Sequence, residues 1–171
     1  IRFEIDVSET YSPSNAALNI AHVEAIDLNG TNVALASNGA TAAQSSLFDT
    51  GWEADKAIND STNQYDSTHT VKGQSAWLEV TLQNPTILER VEIINRSGFH
   101  TEAGTSTARS RYPTTVHLYD EMDNIVSTQN FEKWMSDTQR LEYPSNITRT
   151  TGMGSSITNY KISKMRFETR L

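Results

Sequence analysis

The sequence predicts an all-β protein, built as an antiparallel, jelly-roll-like β-sandwich. Apolar and polar residues alternate with period two in its best apolar stretches, as they do in half-buried strands. Helical periodicity is hard to find, and polar turns separate the alternating stretches. A chain of 171 residues fits one domain and is long enough to bury a core.

Three stretches carry this alternation. Residues 77–82 alternate until Asn84-Pro85, which predicts a break in the strand. Residues 91–95 alternate in the same way. Residues 115–120 also alternate, and Asp123-Asn124 separates them from Ile125-Val126, which predicts a hairpin. The connections rich in Ser, Thr and Gly are long for a compact domain and are expected to be functional surface or flexible connection. They cover residues 37–46, 97–110 and 144–158.

Composition excludes several classes of function. The net charge is −7 without a basic cluster, which argues against nucleic acid and anionic membranes as partners. No apolar run approaches the roughly 20 residues of a membrane span. The chain has no cysteine, so disulfides and thiolate metal sites are excluded.

An extracellular or surface-exposed location is predicted. The sequence starts at Ile1 without a signal-like segment, so we expect it to follow processing or to begin a fragment. Four Asn-x-Ser/Thr sequons give weak support for the secretory route, because a chain rich in these residues produces several by chance. They start at Asn29, Asn59, Asn95 and Asn146.

The middle of the chain carries the most specific pattern. A polar, oxygen-rich stretch at residues 51–63 precedes Ser67-Thr68-His69-Thr70. A strand headed by Trp77 follows, and the next strand ends at Arg96. This order resembles the core of F-type lectins, the fucose-binding branch of the discoidin (coagulation factor 5/8 C-type) domains. The resemblance covers roughly residues 32–135 and implies a sandwich of the galactose-binding-domain type.

The two ends of the chain also resemble each other. Ile1-Arg2-Phe3-Glu4-Ile5 recurs as Met165-Arg166-Phe167-Glu168-Thr169. In addition, residues 18–27 look like the strand that closes a discoidin-like domain, yet they precede residues 32–36, which look like its opening. Either an alternating strand occurs twice by chance, or the module is permuted or one unit of a tandem array.

We therefore predict a single domain over residues 1–171. Within it we distinguish a strand-like N-terminal extension (1–31), a lectin-like core (32–135), and closing or connecting strands (136–171).

The resemblance implies a calcium ion in the loop after Trp52. Residue by residue, it implies the carbonyl groups of Lys56 and Ser61, Asn59 in the place of an Asp, and Asp66 as ligands. Ca²⁺ suits such a loop because it accepts six to eight hard oxygen ligands at irregular geometry. The alternative is an ordinary turn in which Asx side chains cap their own backbone.

The family's closing strand supplies one further ligand, a Glu, and two places in this chain match it. In the C-terminal copy of the strand the match is Glu168, which we take as the predicted ligand. In the N-terminal copy His22 falls on that position, with Glu24 nearby. The sequence leaves both copies open.

The resemblance also implies a sugar site made of one His and two Arg, which donate hydrogen bonds to fucose. His69 and Arg96 match the first two donors. The family's Asp two residues after the first Arg is missing, because Arg96 is followed by Ser97-Gly98. Arg111 is then the predicted second arginine, with Arg109 as the alternative.

The apolar platform of the site is predicted at Phe99, in Phe99-His100, where the family has two adjacent cysteines. A structural role for each of these residues is the competing interpretation. His69 could be a satisfied buried histidine, and Arg96 could pair only with Glu92 or Asp120.

An enzyme is not predicted, because no catalytic motif occurs at a known spacing. The first functional hypothesis is a non-catalytic, calcium-stabilised carbohydrate-binding module, of fucose or galactose type, with glycans as partners. The second is a structural or adhesion repeat of a filament, cell surface or viral fibre that has lost the sugar pocket. Its partners would be neighbouring copies of itself or other modules.

Overall fold

The computed structural model describes residues 17–61, 63, 66–96, 115–130, 138–141 and 161–169. They form eight strands and two short 3₁₀ turns. The strands are β1 (Ile20–Asp27), β2 (Thr41–Gln44), β3 (Ala76–Thr86), β4 (Leu88–Asn95), β5 (Thr115–Tyr119), β6 (Ile125–Asn130), β7 (Thr138–Leu141) and β8 (Ile162–Thr169), and the turns are Ala36–Asn38 and Ala54–Ile58.

The strands make two antiparallel sheets. One sheet has the order β1-β4-β7, and the other has the order β2-β3-β8-β5-β6. Every paired neighbour is antiparallel. The prediction of an all-β sandwich is therefore confirmed. The described residues include no helix long and apolar enough to cross a membrane.

The core lies between the inward faces of these strands. Leu78 and Val80 of β3, Phe167 of β8, and Val91 and Ile93 of β4 are all fully buried. They alternate with partly exposed residues along each strand, which is the period-two pattern of the sequence. Burying one such side chain is worth roughly 1.5–3 kcal/mol.

The predicted break at Asn84-Pro85 takes a different form. Strand β3 continues to Thr86, but its ladder with β8 is irregular between Thr81 and Thr86. Proline has no N–H to donate to the ladder, so the pairing with β8 is interrupted there while strand β3 itself continues. Only Ile87 separates β3 from β4, so the chain crosses from one sheet to the other at this point.

The predicted hairpin is confirmed as β5 and β6, which pair directly. Asp120 organises its turn, because Oδ1 accepts hydrogen bonds from the backbone N–H groups of Met122 and Asn124, at 2.9 Å each. Hydrogen bonds from the Asn124 side chain make the largest contribution to lowering the pKa of Asp120, and the two backbone hydrogen bonds lower it further. Asp123 tolerates a φ of 60° in this turn, as Asp often does.

Strand β1 belongs to the sandwich, where it pairs with β4 along its length. The division of the chain at residues 31 and 135 stays a prediction.

Candidate carbohydrate site and cation loop

The segment Ser67–Thr70 is buried although it is polar, because its backbone is bonded on both sides. On one side, the N–H groups of Thr68 and Thr70 donate to the carbonyls of Ile20 and Leu18 at 2.9 and 3.1 Å. The two threonine hydroxyls accept the N–H groups of the same two residues in return, at 3.0 and 2.8 Å. The segment Ser67–Thr70 is therefore paired, much as a strand would be, with the part of the chain that leads into β1.

On the other side, His69 is bonded to the loop at residues 45–53. Its N–H donates to the Trp52 carbonyl at 3.1 Å, and its carbonyl accepts the Phe48 N–H at 3.0 Å. These bonds hold the two aromatic residues beside the histidine. Because the backbone on both sides of His69 is fixed, the position of the imidazole is set by the fold.

The His69 ring lies in an aromatic cluster and is only 3% exposed. Phe48 stacks on it with ring centroids 4.4 Å apart, and Trp52 meets it edge-on at 5.6 Å. His69 Nδ1 lies 2.6 Å from the Thr70 carbonyl oxygen. Since a carbonyl oxygen only accepts, Nδ1 carries the proton in this contact, which fixes the ring's orientation.

Arg96 reaches the same cluster from the end of β4. Its guanidinium carbon lies 4.5 Å from the Trp52 ring centroid, which is cation–π geometry. Trp52 therefore contacts both predicted donors, His69 at its edge and Arg96 over its ring. The structure thus brings His69 and Arg96 together through a tryptophan between them.

Two residues outside the predicted set complete the surface of this cluster. Phe48 is 46% exposed, so it faces solvent beside the buried His69. Lys72 Nζ lies 5.4 Å from the Phe48 ring centroid. We name Phe48, Trp52, His69, Lys72 and Arg96 the His69 cluster. It combines an apolar ring surface with nitrogen donors, which is the combination that a sugar with hydroxyl groups and an apolar face requires.

Gln44 braces the loops of the His69 cluster. It ends β2, and its Nε2 donates to the carbonyls of Ser46 and Trp52 at 2.8 and 3.2 Å, with His69 O at 3.4 Å. Sequence reasoning missed Gln44, Phe48, Trp52 and Lys72 as site residues. An available signal was the pair of large apolar residues Leu47-Phe48 in an otherwise polar loop, since both are exposed in the structure.

Three residues considered for the sugar site lie outside the described residues. They are Arg111, its alternative Arg109, and Phe99. Their roles stay predictions.

The predicted cation loop begins with the 3₁₀ turn Ala54–Ile58 and runs to Asp66. Asn59 Nδ2 donates to Asp66 Oδ2 at 3.0 Å, and Lys56 Nζ lies 3.0 Å from Asp66 Oδ1. Ser61 N donates to Asn59 Oδ1 at 3.0 Å. One short network of contacts thus joins four of the predicted ligand residues. We name these residues the cation loop: Lys56, Asn59, Ser61 and Asp66.

The ammonium of Lys56 is the notable member of this loop. Its hydrogen bond to Asp66, followed by the charge of that carboxylate, raises the pKa of Lys56. Asp66 therefore already has a cationic partner and an amide donor, one at each oxygen. Among the described residues, no group of three or more His, Cys, Asp or Glu could hold a metal. A metal ion here would depend on carbonyl, amide and hydroxyl oxygens as well as on Asp66.

The structure separates the two candidates for the closing-strand ligand. Beside the cation loop is a pocket of about 330 Å³, lined by His22 and Glu24 of β1 together with Asp60, Ser61 and Asn63. Burial lowers the pKa of His22, while Glu24 and Asp60 act in the opposite direction. The strand that faces the loop is therefore β1, the N-terminal copy.

Glu168 lies in the other sheet. It is paired with Trp77 of β3 and Thr115 of β5, and its Oε1 is 3.0 Å from Arg166 Nε. The described contacts of Glu168 do not support a role as a metal ligand, so that role stays a prediction.

No model of a protein family and no curated protein sequence matches the chain. A solved mutant of the lectin binding domain of lectinolysin, complexed with Lewis b, is similar with a TM-score of 0.59 and 20% identity. The match covers 82% of this chain and 86% of that one. The chain has the fold of this lectin domain.

A second similar structure is SpX-3, a fucose binding module of Streptococcus pneumoniae. Its TM-score is 0.57 at 21% identity, over 82% of this chain and 88% of that one. The lectin domain of lectinolysin complexed with Lewis B antigen is a third, with a TM-score of 0.56 at 20% identity, over 82% and 87%. The predicted F-type lectin and discoidin-like sandwich is thus confirmed at the level of the fold.

Proposed function

We propose that this chain is a non-catalytic carbohydrate-binding module that binds its glycan at the His69 cluster. The observation that carries the proposal is the placement of His69 and Arg96 around Trp52, beside the exposed ring of Phe48. Guanidinium N–H groups donate to sugar hydroxyls, the Nε2 of an imidazole that is protonated at Nδ1 accepts from them, and an exposed aromatic ring packs on the apolar face of a sugar. An extracellular or surface location accompanies this proposal, because glycans are displayed there.

A fucosylated glycan is the proposed ligand class. Lectinolysin is complexed with Lewis b, and the S. pneumoniae module is named for fucose binding. The support is limited to a shared fold and to the two donors, because identity with these modules is 20–21%. Galactose-type glycans are the other class that the sequence predicts.

Calcium is a separate proposal, in which the ion binds at the cation loop. Its support is that the Asn59 side chain lies within hydrogen-bond distance of both the Asp66 side chain and the Ser61 backbone, which groups these predicted ligand residues. Calcium that uses Asp66 must displace the ammonium of Lys56, so we expect a weak site. When bound, calcium would crosslink the loop through oxygen ligands and so stabilise the folded chain.

The test of the proposed function is a glycan array with matched pairs that differ only in the presence of fucose or of terminal galactose. It is run once with calcium and once with excess chelator. We expect binding to the fucosylated member of each pair, and weaker binding after chelation. Binding to the galactosylated members alone would change the ligand class, and no binding to any glycan would refute a carbohydrate-binding role.

The second candidate function is a structural or adhesion repeat unit. The observation in its favour is the recurrence of the Ile1–Ile5 pattern at residues 165–169. Failure of every glycan on the array would favour this candidate.

A further inference from the structure

A bulge in strand β1 decides where two of its polar side chains lie. The ladder with β4 shifts register between Ile20 and His22. In a regular strand these two residues would share a face, because side chains alternate with period two. The extra residue leaves Ile20 fully buried in the core and puts His22 on the opposite face. Glu24 shares that face, and both residues are partly exposed there.

His22 and Glu24 line the pocket beside the cation loop, and Asp60 lines it from the other side of that pocket's polar wall. We name His22, Glu24 and Asp60 the β1 pocket. Both carboxylates interact with the charge of His22, so the three groups are neighbours. Within the described part of the chain, none of the three has a hydrogen bond or an ion pair, and His22 Nδ1 lacks a partner although it is buried. The two carboxylates are therefore available to a ligand.

The remaining wall of the β1 pocket is partly apolar. Ala21, Leu35 and Ile94 line it. The volume of about 330 Å³ is at the lower end of the roughly 300–1,000 Å³ that ligand sites have. This size suits a small molecule or a single side chain, and the apolar wall suits an alkyl group.

The charge of the β1 pocket selects a cation. Two carboxylates line it, and the chain as a whole has a net charge of −7, which attracts cations. A metal ion fits less well, because no group of three or more His, Cys, Asp or Glu among the described residues could hold one. An ammonium group fits better, since its three N–H groups donate hydrogen bonds and carboxylates and neutral imidazole accept them.

We propose that the β1 pocket binds an organic cation that carries a primary ammonium group on a short alkyl stem. The ammonium lies between Glu24 and Asp60, and the stem packs on the apolar wall. A free amine and the side chain of a lysine in a polypeptide share this chemistry. The β1 pocket is separate from the His69 cluster, and the proposal does not rest on glycan binding.

The experiment is a titration of the full chain followed by protein-observed NMR. It is run with excess chelator, so that calcium does not compete at the neighbouring cation loop. The probe is n-butylammonium, and 1-butanol is its neutral match. We expect n-butylammonium to shift the amide signals of His22, Glu24 and Asp60 and to bind about 10-fold or more tightly than 1-butanol, because only the ammonium makes charge-assisted hydrogen bonds.

A variant pair tests the pocket residues. Glu24→Gln keeps the shape of the side chain and removes its charge, so n-butylammonium should bind about 10-fold or more weakly. Glu121→Gln is the matched control, because Glu121 is exposed in the β5–β6 hairpin and the change in charge is the same. Its affinity should equal that of the native chain. The comparison of n-butylammonium with 1-butanol uses the native chain and needs no variant to fold.

A further probe distinguishes the two sources of the ammonium. Nα-acetyl-lysine methylamide presents the same group on a peptide backbone. Tighter binding than n-butylammonium would identify a polypeptide as the ligand, and weaker binding would identify a free amine.

Three results would overturn the proposal. The first is the absence of signal shifts with n-butylammonium, and the second is equal affinity for 1-butanol. The third is an equal loss of affinity in Glu24→Gln and Glu121→Gln, which would mean that the acidic chain attracts ammonium without a specific site.

Discussion

The His69 cluster and the cation loop are neighbouring parts of one motif, yet they are stabilised differently. His69 is 3% exposed, and the backbone on both sides of it is bonded to the rest of the fold. Lys56 and Asp66 are 30% and 29% exposed and are joined by side-chain contacts. The first arrangement is fixed by the main chain, whereas the second depends on groups that water and ions can reach.

The His69 cluster is thus preformed in the folded chain, whereas the arrangement of the cation loop is conditional on the ions around it. In the proposed function, a glycan at the His69 cluster would meet side chains that are already in place, so little conformational entropy would be lost on binding. A cation at the loop must compete with an ion pair, although partly exposed ion pairs contribute only about 0–1 kcal/mol. The two regions should therefore respond differently to mutation, calcium and pH.

The largest effect is expected from Arg96→Ala, which removes a donor from the preformed site. Charge-assisted hydrogen bonds contribute about 1.5–3 kcal/mol, so glycan affinity measured by calorimetry should fall roughly 10-fold to 150-fold. Arg90→Ala is the control, because Arg90 lies on β4, the strand that Arg96 follows, but pairs with Glu89 and Glu92. Unchanged affinity in Arg96→Ala would place the sugar elsewhere.

Calcium is the next largest effect, and it tests the conditional site. At 100-fold excess over Kd, binding to the folded state adds about 2.7 kcal/mol, and for a chain of this size Tm should rise roughly 5–10 °C. Lys56→Met removes the competing ammonium and should give a larger rise at subsaturating calcium. The exposed Lys161→Met serves as the control.

This prediction would be wrong if the Tm were the same with calcium and with chelator in the native chain, Lys56→Met and Lys161→Met. The cation loop would then be only an Asx-rich turn.

A smaller effect is expected from Phe48→Ala. Loss of an aromatic platform costs about 0.5–1.5 kcal/mol, so glycan affinity should fall about 2-fold to 10-fold, measured by the same calorimetry. Stability should change little, because Phe48 is 46% exposed. Met122→Ala, at the tip of the β5–β6 hairpin and 75% exposed, should leave affinity unchanged. An unaltered affinity in Phe48→Ala would exclude the ring from the site.

The smallest effect concerns His22, beside the cation loop. Burial lowers its pKa below 6.5, so the unfolded chain binds this proton more readily than the folded chain. Its contribution to stability is therefore complete above about pH 6.5 and is lost as pH falls through the lowered pKa. Melting at about pH 7.5 and pH 5.5 should show a smaller loss of Tm in His22→Gln than in the native chain. An equal loss in both proteins would contradict this.

The sequence by itself determined the architecture and predicted that His69 and Arg96 are neighbours. Period-two alternation predicted the strands, because half-buried strands place alternate residues in the core. The resemblance of the order His69, Trp77 and Arg96 to the core of F-type lectins then predicted that His69 and Arg96 lie close together. That proximity follows from the fold, since Ser67–Thr70 lies beside the chain that leads into β1 and Arg96 follows the strand paired with β1.

Only the tertiary structure decided which further side chains contact His69 and Arg96. Phe48 and Trp52 reach His69 because backbone bonds across the loop place them there, and sequence spacing does not encode such contacts. The closing strand is a second case, since two copies of a similar pattern compete for one role. The structure puts β1 beside the cation loop and β8 in the other sheet, because strand pairing depends on long-range packing that local sequence cannot specify.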